Sequence, residues 1–303
     1  MSAGLRVGFV GLGNIGKPMA LRLAAADGFD LGVYDVAPEP LEELAAAGAR
    51  VAGSVARLAA DCDVLCVMVR DDEQVRDVMG QVLGVAGDRL TVVVHSTVAP
   101  DTPRALEVTA ARHGVRVLDA PVSGGGMGAA AGTLAILVGG TDDAFAAAHP
   151  VLAAMSSKVV HAGPIGAGTR FKLARNLMHF VAFTAATEAQ RLAEAAGLDL
   201  RALGDVVRHT DAITGGPGAI MHRETTAPIA ADDFWFGVFE HVVALGEKDL
   251  TFATSLADEL GVDVPLARLA LERLAPGLGM PHSPLLSDHP ADHPADDTER
   301  EQP

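Results

Sequence analysis

The stretch VGFVGLGNIGKPMA, residues 7–20, decides the fold. Val7 to Val10 make a short apolar β run. Gly11, Gly13 and Gly16 follow it in a G-x-G-x-x-G pattern that opens a helix-forming segment. Each glycine has its own task in such a strand–turn–helix unit. Gly11 permits the tight turn, Gly13 lets the backbone approach a pyrophosphate, and Gly16 lets the helix pack closely on the strand. The helix N-terminus then offers free N–H groups and a positive dipole end to phosphates. Alone, the pattern is a weak signal, because glycine turns are common. Its setting strengthens it: the next β run ends in Tyr34-Asp35. An acid about 20 residues beyond the glycines can accept from ribose hydroxyls and repels a 2′-phosphate. No arginine follows Asp35 directly, so NAD is expected over NADP. The plainer reading of Asp35 is a strand-end acid opening the turn before Pro38.

Outward from this unit, short β-rich runs alternate with helical patterns through the first half of the chain. Strands are expected at 6–10, 31–34, 64–69, 91–94, 115–119 and 134–138, with helices such as 41–47 and 102–113 between them. Alternation of this kind predicts a parallel α/β sheet. Several of the runs are apolar throughout, as befits strands covered on both faces. After Gly163-Pro164 the pattern changes. From about 168 to 196 there is no proline and no strand signal, and Gly197 fits a helix C-cap. The middle of this helix, Leu177 to Thr187, carries no formal charge, so most of its sides must be covered. It is expected to form the spine of a helical second domain and to contribute to a subunit interface. Helices are also expected at 200–209, 236–260 and 265–274. The expected division is 1–164, 165–280 and a disordered tail, 281–303, rich in Pro, Asp and His with a DHPADHPAD repeat.

Composition bounds the function. The 303 residues are 49% apolar, enough for a sizeable core, and 39 acidic against 23 basic residues give a net charge of −16. That balance argues against non-specific nucleic-acid binding, which depends on Lys and Arg neutralising phosphates. No apolar run approaches the ~18 residues of a membrane span, and the first residues lack a secretory apolar region. The two cysteines, Cys62 and Cys66, make neither a disulfide framework nor a zinc pattern, and a strand through them would point both to one face. A cytoplasmic protein with no metal, nucleic-acid or membrane partner is expected.

Three further segments carry chemistry. In DAPVSGGGMGAAAGTLAILVGG, residues 119–140, Ser123, Gly124 and Gly125 supply a hydroxyl and unobstructed N–H groups, a nest for a carboxylate or simply a glycine-rich turn. In GAGTRFKLARN, residues 166–176, Lys172 and Asn176 are four apart and share a helical face. Surface lysines are usually solvated, but this one heads a mostly apolar helix. A desolvated lysine has its pKa lowered and can act as general base or acid. In GEKDL, residues 246–250, Lys248 and Asp249 either serve the site or form local ion pairs.

Taken together, the glycine loop, the D-A-P-V-S-G-G segment running through G-T-L to V-G-G, the G-x-G-x-x-x-K-x-x-x-N helix start and K-D-L resemble the β-hydroxyacid dehydrogenases. This is the family of 3-hydroxyisobutyrate dehydrogenase and its 6-phosphogluconate dehydrogenase relatives, and the likeness covers residues 5–275. It implies an α/β fold, an N-terminal Rossmann doubly wound sheet followed by an all-helical C-terminal domain, with the active site in the cleft between them. It further implies that Lys172 is the catalytic acid/base, that Ser123, Gly124 and Gly125 hold the substrate carboxylate, and that Asn176 orients the substrate. On the cofactor side it implies Gly11, Leu12, Gly13, Asn14, Ile15, Gly16, Asp35, Met68, Val69, Thr97 and Lys248. Three residues depart from the family's pattern. Ile15 stands where many members have Met, and Arg70 where proline often follows the third strand. Arg175 replaces a common small polar residue; it reaches a second anionic group on the substrate or pairs with an acid of its own subunit. The aromatic run Phe234-Trp235-Phe236 is core or a lid.

The expected function is NAD-dependent oxidation of a small β-hydroxy acid by a homodimer or homotetramer. Reduction of a semialdehyde or of glyoxylate by the same residues is the alternative. An imine reductase fits less well, since that related group generally lacks the lysine and favours NADPH. A non-catalytic dinucleotide-binding protein fits less well too, since such relatives lose the lysine that this chain keeps.

Overall fold

Alternate residues of the N-terminal strands sort into two apolar layers, one on each face of a single sheet. Val7, Phe9, Val64, Cys66 and Val93 enter one layer; Val10, Leu65, Val67, Val92 and Val94 enter the other. That two-sided burial is why the strands read as continuous apolar runs. The computed structural model describes residues 4–85, 87 and 89–284. Most of the expected tail therefore lies outside the described residues.

The first strands and helices are β1 (Leu5–Val10), α1 (Gly16–Ala24), β2 (Phe29–Tyr34), α2 (Glu39–Ala46), β3 (Arg50–Val51), α3 (Val55–Ala60) and β4 (Val64–Val67). Next come α4 (Asp72–Leu83), β5 (Thr91–Val94), α5 (Thr102–Ala111), β6 (Arg116–Asp119), β7 (Val122–Ser123) and α6 (Gly125–Ala131). β8 (Leu134–Gly139), α7 (Asp142–Ala154) and β9 (Ser156–Gly163) complete the sheet region. The strand order is β3-β2-β1-β4-β5-β6-β8-β7, with β9 on β8. Strands from β3 to β6 run parallel, β8 is antiparallel to β6 and β7, and β9 is parallel to β8. The order reverses at β1, so the carboxyl ends of β1 and β4 flank a topological switch point, where open α/β sheets bind ligands.

Two expectations change here. The strand expected at 64–69 ends at Val67, because the Ser96 hydroxyl takes over the backbone of Val69, accepting its N–H at 2.9 Å and donating to its carbonyl at 2.7 Å. The cysteines do not share a face. Cys62 precedes β4 and lies in the layer with Leu65, whereas Cys66 lies in the opposite one. Both are free and buried, and burial pushes the Cys62 thiol up to about 12.

Four longer helices follow: α8 (Ala167–Ala195), α9 (Leu200–Thr214), α10 (Phe234–Glu259) and α11 (Pro265–Leu278). The chain forms two compact units, Met1–Asn176 and Leu177–Pro303, with the division inside α8. The second unit has a small core of Ile229, Phe239, Val243, Ala275, Leu278 and Met280. Trp235 and Phe236 pack against this core, while Phe234 is 79% exposed. Glu188 caps α11 by accepting from the N–H groups of Leu266 at 2.8 Å and Ala267 at 2.9 Å. Glu247, fully buried, bonds His282 Nδ1 at 2.7 Å and accepts from the Ser283 N–H at 2.9 Å and its hydroxyl at 2.5 Å. The chain is thus held against α10 as far as Ser283. Among the described residues no helix is long and apolar enough to cross a membrane.

Candidate active site

The glycine loop closes as its spacing requires. Gly11 has φ +90°, and a Cβ there would stand 2.2 Å from the Met68 carbonyl oxygen. A Cβ on Gly16 would stand 2.0 Å from the Gly11 oxygen and 3.3 Å from the Phe9 ring, so α1 can seat on β1 only with glycine there. A Cβ on Gly13 would meet nothing within 4 Å. The protein therefore leaves open the space beside Gly13 that a pyrophosphate needs, and the loop fits that group.

Asp35 leaves β2 and turns back on the loop. One carboxylate oxygen accepts from the Leu12 N–H at 2.5 Å, the other from the Ala37 N–H at 2.8 Å. A cavity of about 410 Å³ opens at the switch point, lined by Gly11, Gly13, Asp35, Met68, Val69 and Asp77 among others. Two acids thus face it, a poor setting for a further phosphate. Arg70 lines it as well, with its Nε paired to Asp71 at 3.2 Å and its side chain 80% exposed. Leu12 and Asn14 border the adjoining hollow, which reaches Lys17 and Glu43. Ile15 packs against the core layer beneath the loop. Thr97 is exposed directly after the buried pair His95-Ser96. The His95 ring bonds the Ala120 carbonyl through Nδ1 at 2.8 Å, and burial lowers its pKa to about 4.

The nest residues lie close to this loop. Ser123 ends β7, held by antiparallel pairing to Ala135 of β8. Gly124 and Gly125 follow at φ +133° and +62°, conformations that only glycine adopts freely. A Cβ on Gly126 would lie 3.3 Å from the Asn14 carbonyl oxygen, so the segment runs alongside the dinucleotide loop.

Lys172 and Asn176 stand on the first turns of α8, and both are half-buried. Their helix is fixed by a residue that spacing alone did not single out, Asp119. This buried carboxylate at the end of β6 accepts from the Gly166 N–H at 2.7 Å and the Thr169 N–H at 2.6 Å, satisfying donors that a helix start leaves free. Burial pushes the Asp119 carboxyl up, against the opposing pull of those N–H groups. The helix also sits on bare backbone. A Cβ on Gly168 would be 2.2 Å from the Leu137 oxygen and 2.7 Å from the Asp119 oxygen. One carboxylate therefore ties together the strand that leads to Ser123 and the helix that carries Lys172. Burial holds the Lys172 pKa below its ordinary 10.5, and the neighbouring Arg175 charge lowers it further. Lys248 belongs to the second unit, where it pairs with Asp249 at 3.0 Å.

A doubly wound sheet with this loop at its switch point defines a dinucleotide-binding fold. Residues 6–163 match the family described as the NAD binding domain of 6-phosphogluconate dehydrogenase, and residues 166–278 match that described as NAD-binding of NADP-dependent 3-hydroxyisobutyrate dehydrogenase. The chain belongs to the β-hydroxyacid dehydrogenase family. Among curated relatives, an oxidoreductase of Mycobacterium tuberculosis H37Rv, itself named as uncharacterized, is 48% identical over 91% of this chain and 94% of its own. The NAD-dependent L-serine dehydrogenase of Pseudomonas aeruginosa is 35% identical over 88% and 90%. Among solved structures, a Mycobacterium avium 104 protein has 48% identity and a TM-score of 0.89, over 92% of this chain and 100% of its own. Mycobacterium tuberculosis 3-hydroxyisobutyrate dehydrogenase with L-serine has 34% identity and a TM-score of 0.63, over 89% and 92%.

Proposed function

We propose that the protein is an NAD-dependent dehydrogenase that oxidises a small β-hydroxy acid, with Lys172 as the group that takes the hydroxyl proton. The observation that carries this reading is Lys172 itself, a half-buried amine with a depressed pKa, one turn past an anchored helix start and four residues from Asn176. A bound nicotinamide supplies the hydride acceptor. The protein supplies the rest. The Ser123 hydroxyl and the N–H groups of Gly124 and Gly125 hold the carboxylate, and the Asn176 amide orients the hydroxyl. Neutral Lys172 accepts the O–H proton as the C–H hydride departs, leaving a carbonyl; in reverse, its ammonium donates to that oxygen. Positioning supplies much of the acceleration, and proton transfer adds on the order of 10²–10⁴-fold.

The preference for NAD is supported by Asp35 and Asp77 facing the cavity, which disfavours a 2′-phosphate. The name of the serine dehydrogenase relative agrees with it. A role for Lys248 over the cofactor rests on the K-D-L likeness alone. We assign residues 1–164 to dinucleotide binding and 165–280 to substrate binding and self-association. Self-association is supported by the second unit's bare apolar helices: Leu177, Phe180 and Phe183 are 70%, 58% and 54% exposed, and α9 buries no residue. Two free, buried cysteines suit a cytoplasmic setting.

The test is NADH formation when small β-hydroxy acids are added to the protein with NAD. Turnover is expected with NAD over NADP, and Lys172→Ala should retain NAD binding while losing ~10²–10⁴-fold in kcat. No turnover with any hydroxy acid, or an unchanged kcat in the variant, would overturn the reading.

A further inference from the structure

Arg175 is a polar residue of the α8 start that the reaction above leaves unused. It is half-buried, and its Nη1 donates to the Asn176 side-chain oxygen at 3.4 Å. Among the described residues no carboxylate pairs with it; that weak bond to a neutral amide is its only polar contact. Arg116 and Arg223, also half-buried and without a carboxylate, differ from it in donating to backbone carbonyls at 2.8 Å and 2.6 Å. Arg6, Arg50 and Arg268, all more exposed, each hold an aspartate within 3.0 Å. Arg175 also follows Lys172 by three residues, so two cationic side chains lie near each other on one side of the helix, and like charges so placed repel. A half-buried guanidinium that lacks an anion yet adjoins the reacting amine is arranged to receive one from outside. Its planar fork suits a carboxylate or a phosphate, which it can grip with two parallel N–H bonds.

We infer that the substrate carries a second anionic group, a carboxylate or a phosphate ester, at the end remote from the carboxylate held by Ser123, Gly124 and Gly125, and that Arg175 binds it. This inference rests on the dehydrogenase reading and narrows its substrate class from hydroxy monoacids to dianionic hydroxy acids. Arg175 is then the residue that sets specificity, and its bond to Asn176 couples recognition of the far end to orientation of the hydroxyl.

The experiment compares β-hydroxy acids that share the first three carbons and end in a methyl, a hydroxymethyl, a carboxylate or a phosphate ester. Each is assayed with NAD at fixed ionic strength on wild type, Arg175→Gln and Arg175→Lys. The quantity read is the ratio of kcat/KM for an anionic end to that for a neutral end. Any effect of the substitution on Lys172 acts on every compound and cancels in the ratio. Wild type should favour one anionic end by ~10–100-fold, the range of a charge-assisted pair. That preference should collapse in Arg175→Gln and return in part in Arg175→Lys. The carboxylate and phosphate arms show which anion the site takes. The inference is overturned if wild type favours the neutral ends, or if the ratio survives in Arg175→Gln, as it would were all compounds weakened equally. If no compound is oxidised, the dehydrogenase reading itself falls and takes this inference with it.

Discussion

Lys172 holds its place because Thr169, one turn earlier, gives its N–H to a carboxylate 50 residues upstream. The lysine and Asn176 were legible in the sequence because a four-residue spacing is a local property of any helix. Asp119 was quoted within its motif but not legible as an anchor, since its partners lie 47 and 50 residues away and no local period links them. The charge environment of Lys172 gives a pH prediction. Oxidation needs the neutral amine, so kcat/KM should rise as pH climbs through the Lys172 pKa. Burial and the Arg175 charge both disfavour the ammonium, so the rising limb should lie below the ordinary 10.5. Removing the like charge in Arg175→Gln should move the limb to higher pH. A pH–rate profile in which the limb stays put would show that the two side chains do not interact.

Among the elements, the short strands rich in apolar β-forming residues were readable, and so were helices such as those expected at 41–47 and 102–113. The two-residue strands β3 and β7 are too short to show a period. β9, of sequence SSKVVHAG, is mostly polar and small, and it exists because β8 offers it a parallel partner. Contact between elements is equally hidden, yet it fixes two glycines in different ways. Gly168→Ala forces α8 off the backbone of β6 and β8, so thermal melting should show a loss of about 1–3 kcal/mol, with kcat falling alongside. Gly13→Ala meets no protein atom within 4 Å, so its melting should scarcely change while its NAD affinity drops. The reverse pattern in either variant would mean that the glycine serves the other purpose.

At the scale of the molecule, the uncharged stretch of α8 signalled a helix in need of cover, but one chain's sequence does not say what provides it. Within its own chain that helix stays largely bare. Sedimentation velocity at micromolar concentration should therefore give a dimer or larger, and Phe180→Glu, which places a charge on the exposed face, should release monomers. A wild-type monomer would count against self-association. The buried Glu247 sets a different limit, on where the polypeptide can be shortened. A chain cut after Met280 would lose both His282 and Ser283, the side-chain partners of Glu247, and should unfold at a lower denaturant concentration than the intact protein. A chain cut after Pro284 would keep all three bonds and should unfold at a higher denaturant concentration than the one cut after Met280. His282 and Ser283 thus act as a latch that pins the end of the described chain to α10.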